Sequence, residues 1–182
     1  MKPTSLVLFS VLLTAATQAD ARPRPSGFGG KSFEANKTFG IGLELGDFAG
    51  ITGKYFLSNG SNALQFGLGG YAGYYRDYYG YHLYFDYLWH PVSLTSQPAF
   101  ELPFFIGIGG RFWDFEDRRI NNRYDEAYAF GLRVPLGIAF DFNNVPIDIF
   151  LQLVPTLNFF SGYRDNFGFW FDFSIGIRYF FN

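Results

Sequence analysis

His82, Asp86 and His90 recur at four-residue spacing in the stretch "YHLYFDYLWHP". An imidazole beside a carboxylate is the pairing from which a general base or a metal site is built. A Ser/His/acid hydrolase also needs a presented serine. The chain has no G-x-S-x-G pattern, and its fourth predicted strand carries no serine at a matched position. Two histidines eight residues apart, with no cysteine in the chain, make a poor metal constellation. The acidic run Asp114–Glu126 lacks the ligand spacing and the glycine of a calcium loop. His82 is therefore read as part of an interior polar network, and His90, ahead of Pro91, as a turn residue. The expectation is a protein that is not an enzyme and uses no cofactor or metal.

The elements that carry these residues have a period of two from Thr38 onward, with no helical segment. Eight strands are predicted: Thr38–Leu45, Ile51–Leu57, Ala63–Tyr75, Tyr81–Trp89, Phe100–Trp113, Ala127–Asp141, Ile147–Phe159 and Phe167–Phe181. Each sets large apolar residues on one face and small or charged ones on the other. In the last, odd positions from Phe167 to Phe181 are all aromatic or isoleucine, opposite Gly168, Asp172, Ser174, Gly176 and Arg178. Apolar faces of this length match a tilted strand crossing a bilayer, and an even number of strands can close without an edge. The connections "SNGSN", "HPVSLTSQP" and "FNNVP" are compact, whereas the alternating set includes the long charged "FEDRRINNRYDE". That asymmetry suits an outer-membrane barrel.

The small, charged face then points inward. It holds Glu44, Asp86, Glu101, Asp148 and Asp172 against Lys54, Arg111, Arg133 and Arg178, with His82 beside them. Five acids and four bases can pair in a lumen that eight strands make just wide enough for side chains, with glycines giving room to the arginines. Phenylalanines face lipid, and Tyr or Trp residues such as Tyr81, Tyr87, Trp89 and Tyr179 fall at the strand ends, near the membrane interfaces. A soluble lipocalin-like barrel would invert this, crowding the rings inside and wetting the glycines.

Composition agrees. Aromatic residues make up 23% of the chain, only Lys54 among lysines lies beyond residue 37, and the net charge is -2. A nucleic-acid partner would need a basic field. Residues 1–21 read as a cleavable signal peptide ending in Ala19-Asp20-Ala21, and residues 22–37 as a flexible N-terminal arm before a barrel at 38–182.

The segment Gly40–Gly69, with its G-x-G…G-x-x-x-G-[IL]-x-x-K-Y core followed by "LSNGSNALQFGLG", resembles a bacterial family of short exported barrels of unknown function. More broadly the chain resembles the eight-stranded OmpA/OmpX-like outer-membrane barrels. That resemblance implies an all-β, eight-stranded antiparallel transmembrane up-and-down β-barrel in the outer membrane. "IRYFFN" resembles the aromatic C-terminal signal read by the outer-membrane assembly machinery, with Tyr179, Phe180 and Phe181 as its residues and Asn182 as a departure. Such barrels serve as anchors, adhesins or narrow pores. The expected role is structural or interactive, through a charged loop that offers Glu116, Asp117, Arg118, Arg119, Arg123 and Tyr124 to a surface ligand or to lipopolysaccharide phosphates. A narrow channel and a lipid-modifying enzyme are the alternatives.

Overall fold

A computed structural model describes residues 27–58, 60–71, 80–117, 125–161 and 167–181. The expected signal peptide, the loop residues Arg118, Arg119, Arg123 and Tyr124, and Asn182 lie outside them. Strict alternation of side-chain size produces strands throughout: β1 (Gly27–Lys31), β2 (Phe39–Gly46), β3 (Phe48–Phe56), β4 (Asn62–Tyr71), β5 (Tyr81–Ser96), β6 (Phe100–Asp117), β7 (Asp125–Arg133), β8 (Leu136–Phe142), β9 (Ile147–Ser161) and β10 (Phe167–Phe181). All pairings are antiparallel. Neighbours in sequence pair in turn from β2 to β6, β7 and β8 each pair with β6 and β9, and β10 pairs with β9 and returns to β2 with Phe181 opposite Phe39. The result is an up-and-down ring of eight walls in which β7 and β8 together form one wall.

Three expectations are corrected. The predicted strand Ala127–Asp141 is broken between Arg133 and Leu136, because Pro135 has no N–H for the ladder. The break is bridged, as Gly107 donates to the Pro135 carbonyl at 2.8 Å and Val134 to that of Pro155 at 3.0 Å. "HPVSLTSQP" is largely strand, with the turn at Gln97–Ala99 and Gln97 N–H bonded to the Phe100 carbonyl at 2.8 Å. Pro91 is accommodated at a bulge between Trp89 and Val92, where β4 has already ended. His90 is therefore a strand residue, and it is buried. Finally, the described part of the expected flexible arm is docked: β1 pairs with the extension of β5, and Phe33 and Lys37 are buried.

The tightest turn links β2 and β3 through Asp47 alone. It uses Gly46 at φ 148°, a region that disfavours side chains. Asp47 also extends the wall, its N–H bonding the Phe173 carbonyl at 2.9 Å and its carboxylate accepting from Phe173 N–H at 2.7 Å. This turn and the last residues of β4, β6 and β9 lie at one end, the loop end. The chain's first wall strand begins, and its last ends, at the other, the terminal end, with the Leu57–Ser61, Gln97–Ala99 and Asn143–Pro146 connections.

The two faces separate cleanly for most residues. Leu43 is 60% exposed while its neighbour Glu44 is 1%, and Phe171 is 61% exposed while Arg178, further along the strand, is 1%. The lumen is not wholly polar, however. Phe56, Phe105, Phe150 and Phe180 also point inward, and with Phe33, Ala63, Leu88 and Ala139 they form an apolar cluster towards the terminal end. Glycines make this possible in a way the predicted room for arginines did not capture. A Cβ on Gly67 would stand 2.2 Å from the Tyr84 ring, and one on Gly176 would stand 2.3 Å from that of Phe150.

Candidate functional site

All ten residues predicted to line the interior are buried there: Glu44, Lys54, His82, Asp86, Glu101, Arg111, Arg133, Asp148, Asp172 and Arg178. They divide into ion pairs joined by neutral side chains. Burial of a guanidinium is tolerable only with its charge and donors answered, and Arg178 has both. Its Nε and Nη2 each donate to Asp148 at 3.0 Å, its Nη1 donates to Gln65 Oε1 at 2.7 Å, and its plane lies 4.0 Å from the Phe150 ring centre. Gln65 Nε2 passes a bond to Gln152 Oε1 at 3.1 Å, and Gln152 Nε2 passes one to Glu44 at 2.6 Å. Glu44 also accepts from Ser174 Oγ at 2.6 Å and from the Tyr84 hydroxyl, which lies 2.9 Å from Thr52 Oγ1. One continuous chain thus runs from Asp148 to Thr52 across the lumen.

A second group stands nearer the loop end. Arg133 Nε lies 3.0 Å from Asp86 Oδ1, and its guanidinium sits 4.0 Å from the Tyr84 ring centre. Arg111 donates to Asn158 Oδ1 at 2.8 Å and pairs with Asp172, which also accepts from Thr156 at 3.3 Å. Arg111 lies 5.3 Å from the ring centre of Trp113 and 5.9 Å from that of Trp170.

Both histidines lie among aromatic rings. His82 packs among rings, 5.2 Å from Phe48 and 6.4 Å from Trp113. Asp86 is four residues along the same strand, roughly 13 Å away at strand rise. His90 Nε2 is 2.9 Å from Lys54 Nζ, and its Nδ1 is 2.9 Å from the Ser61 carbonyl oxygen. Lys54 therefore meets an imidazole and the faces of Phe56 and Phe105, at 4.6 and 5.4 Å, in place of the acid expected for it.

Sequence reasoning missed several partners. Tyr84, Gln65, Gln152, Ser174, Asn158 and Thr156 share the parity of the predicted charges on their strands, and that parity was the signal available. Lys37, placed in the arm, forms an ion pair with Asp141, a residue on the charged face left out of the predicted network. Of the loop candidates, Glu116 and Asp117 end β6 with their backbones opposite Glu126 and Asp125. Of the C-terminal residues, Phe180 is taken into the lumen cluster, while Tyr179 and Phe181 stand on the outer face, their rings 5.2 Å apart.

Aromatic side chains share the lumen with the polar chain. Phe48, His82, Trp113 and Trp170 lie towards the loop end, and Phe33, Phe56, Phe105, Phe150 and Phe180 towards the terminal end. Outside, a depression of about 660 Å³ lies over Gly110 between Leu83, Phe85, Phe112, Phe130 and Leu132, and it is walled by apolar groups.

The fold is similar to that of the N-terminal β-barrel domain of Pseudomonas aeruginosa OprF, with a TM-score of 0.58 at 14% identity, over 84% of this chain and 100% of that one. No curated protein sequence matches significantly. The model of a family described as a protein of unknown function, DUF3996, matches residues 30–181, in keeping with the resemblance of the first hairpin. An eight-walled barrel with this sequence pattern belongs to that family, DUF3996.

Proposed function

We propose that this chain is an integral outer-membrane barrel with a sealed lumen. It is non-catalytic and acts as an anchor that presents its loop end to a partner. The observation that carries this is the filled interior: five cations and six acids, counting Lys37 and Asp141, are buried there together with aromatic side chains. Charges so placed stabilise one arrangement of the walls and leave the variable surface to the loops. A membrane setting is supported by the outer face, where Leu43, Leu45, Phe85, Ile108, Phe169 and Phe171 stand exposed around the ring. From Phe167 to Tyr179 the tilted β10 covers roughly 30 Å along the barrel axis, the thickness of a hydrocarbon core. The fold likeness to the OprF barrel domain supports the same assignment.

On this proposal residues 1–21 are removed on export, and the surface around Glu116–Tyr124 meets lipopolysaccharide or a surface ligand. The protein, refolded and inserted in a planar bilayer, should give no conductance steps. Repeatable steps would overturn the sealed lumen and favour a narrow channel. Deletion of Arg118–Arg123 should abolish surface binding while leaving insertion intact.

A further inference from the structure

The aromatic cluster at the terminal end differs from the one at the loop end in its origin. Phe48, His82, Trp113 and Trp170 are all wall residues. At the terminal end Phe33 comes from residues 32–38, which belong to no strand and lie between β1 and the first wall. The ring closes by β2–β10 pairing without this segment, and β1 is an addition to β5 outside the ring.

The fit is nevertheless specific. Phe33 is fully buried, 5.9 Å from the Phe56 ring and 5.3 Å from that of His90. Ala35 N–H donates to the Gly60 carbonyl at 2.9 Å. Lys37 Nζ pairs with Asp141 and also donates to the carbonyls of Phe142 at 2.7 Å and Ile147 at 3.2 Å. The wall supplies a reason for this cation. Glu101, Asp141 and Asp148 face one another in register across β6, β8 and β9, and like charges side by side repel. Arg178 answers Asp148 with both arms, and Lys37 is a cation from outside the ring that answers Asp141. A ring-lined pit beside an acidic row fits an aromatic residue and a lysine four positions apart.

We propose that the terminal mouth of the barrel is a peptide-binding socket, held in this structure by the chain's own residues 32–37 as a displaceable stopper. It recognises the aromatic ring of Phe33 and the ammonium of Lys37. When the segment leaves, the lumen wets as far as Lys54 and His90, while the aromatic layer at the loop end keeps the barrel closed.

The absence of cysteine makes this directly measurable. In detergent micelles, a full-length protein carrying Ala63→Cys in the cluster is treated with a water-soluble maleimide, with Ala129→Cys, buried near the loop-end layer, as reference. Adding Phe33→Asp or, separately, Lys37→Met should speed reaction at position 63 at least tenfold and leave position 129 unchanged. A synthetic peptide of residues 27–38 in excess should then restore protection, and the same peptide with Phe33→Asp should not. Equal rates with and without the substitutions, or no protection by the peptide, would overturn the proposal. Failure of both variants to refold would make the segment part of the barrel's fold and overturn it equally.

Discussion

Arg178 is the sharpest place to test how the lumen holds together. Its guanidinium makes two bonds to Asp148 and one to Gln65, and it covers the Phe150 ring, all without contact with water. Arg178→Leu leaves Asp148 buried without its cation, a loss of about 3–5 kcal/mol when one partner of a buried pair is removed. Gln65 Oε1 loses its donor as well, adding about 1–3 kcal/mol if nothing relaxes to replace it. Asp148→Leu should cost a similar amount, since it strands the guanidinium. The double substitution removes both charges and should cost far less than the sum, because an apolar pair of similar volume replaces a buried ion pair at little net loss. The assay is urea unfolding of the refolded protein in lipid vesicles, followed by fluorescence of Trp89, Trp113 and Trp170. With a slope of about 2 kcal/mol/M, Asp148→Leu should lower the midpoint by roughly 2 M, Arg178→Leu by roughly 2–4 M, and the double, in which Gln65 still lacks its donor, by roughly 1 M. Additive losses in the double variant would refute the account, since they would mean that the two side chains act independently.

The glycine positions give a second test. Gly67→Ala drives a methyl into the Tyr84 ring and should destabilise by about 1–3 kcal/mol, whereas Gly70→Ala, with its nearest neighbour 3.6 Å away, should be near neutral by the same unfolding assay. Tyr84→Phe removes a donor to Glu44 and should cost about 1–3 kcal/mol, with Glu44→Gln in the same background recovering part of it. On the outer face, Phe173→Arg should weaken insertion into vesicles by about 2–4 kcal/mol while Phe173→Leu inserts normally. Equal insertion of the two would place that face in water.

Strand alternation made the wall legible. Once Leu43 is outside, Glu44 must be inside, and the same parity placed every predicted interior charge correctly. It failed where both faces carry large residues. Phe105, Phe150 and Phe180 alternate with other apolar residues, so size alone could not tell lumen from exterior. Partner choice was hidden for a different reason. Lys37 and Asp141 are 104 residues apart, and only the closure of the ring brings them together. His90 was misplaced because Pro91 signals a turn locally, while a bulge lets the strand absorb it. Val134-Pro135 conceals its break because parity continues from Tyr128 to Phe140 through the interruption.

The seam between β2 and β10 sets the order in which this molecule can be made. One edge of residues 39–46 pairs at once with β3, but the other finds its partners in residues 174–181, so that edge of the earliest wall waits for the latest. Until β10 arrives, β2 and β9 both present bare edges, and neither a nascent nor a truncated chain can complete its hydrogen bonding. Folding governed by so distant a contact is slow and all-or-none, since the loop-closure entropy is lost before the seam returns any of it. A chain of this design must be kept open after synthesis and closed in a single late step. Any factor that grips the β10 edge therefore controls when the barrel forms.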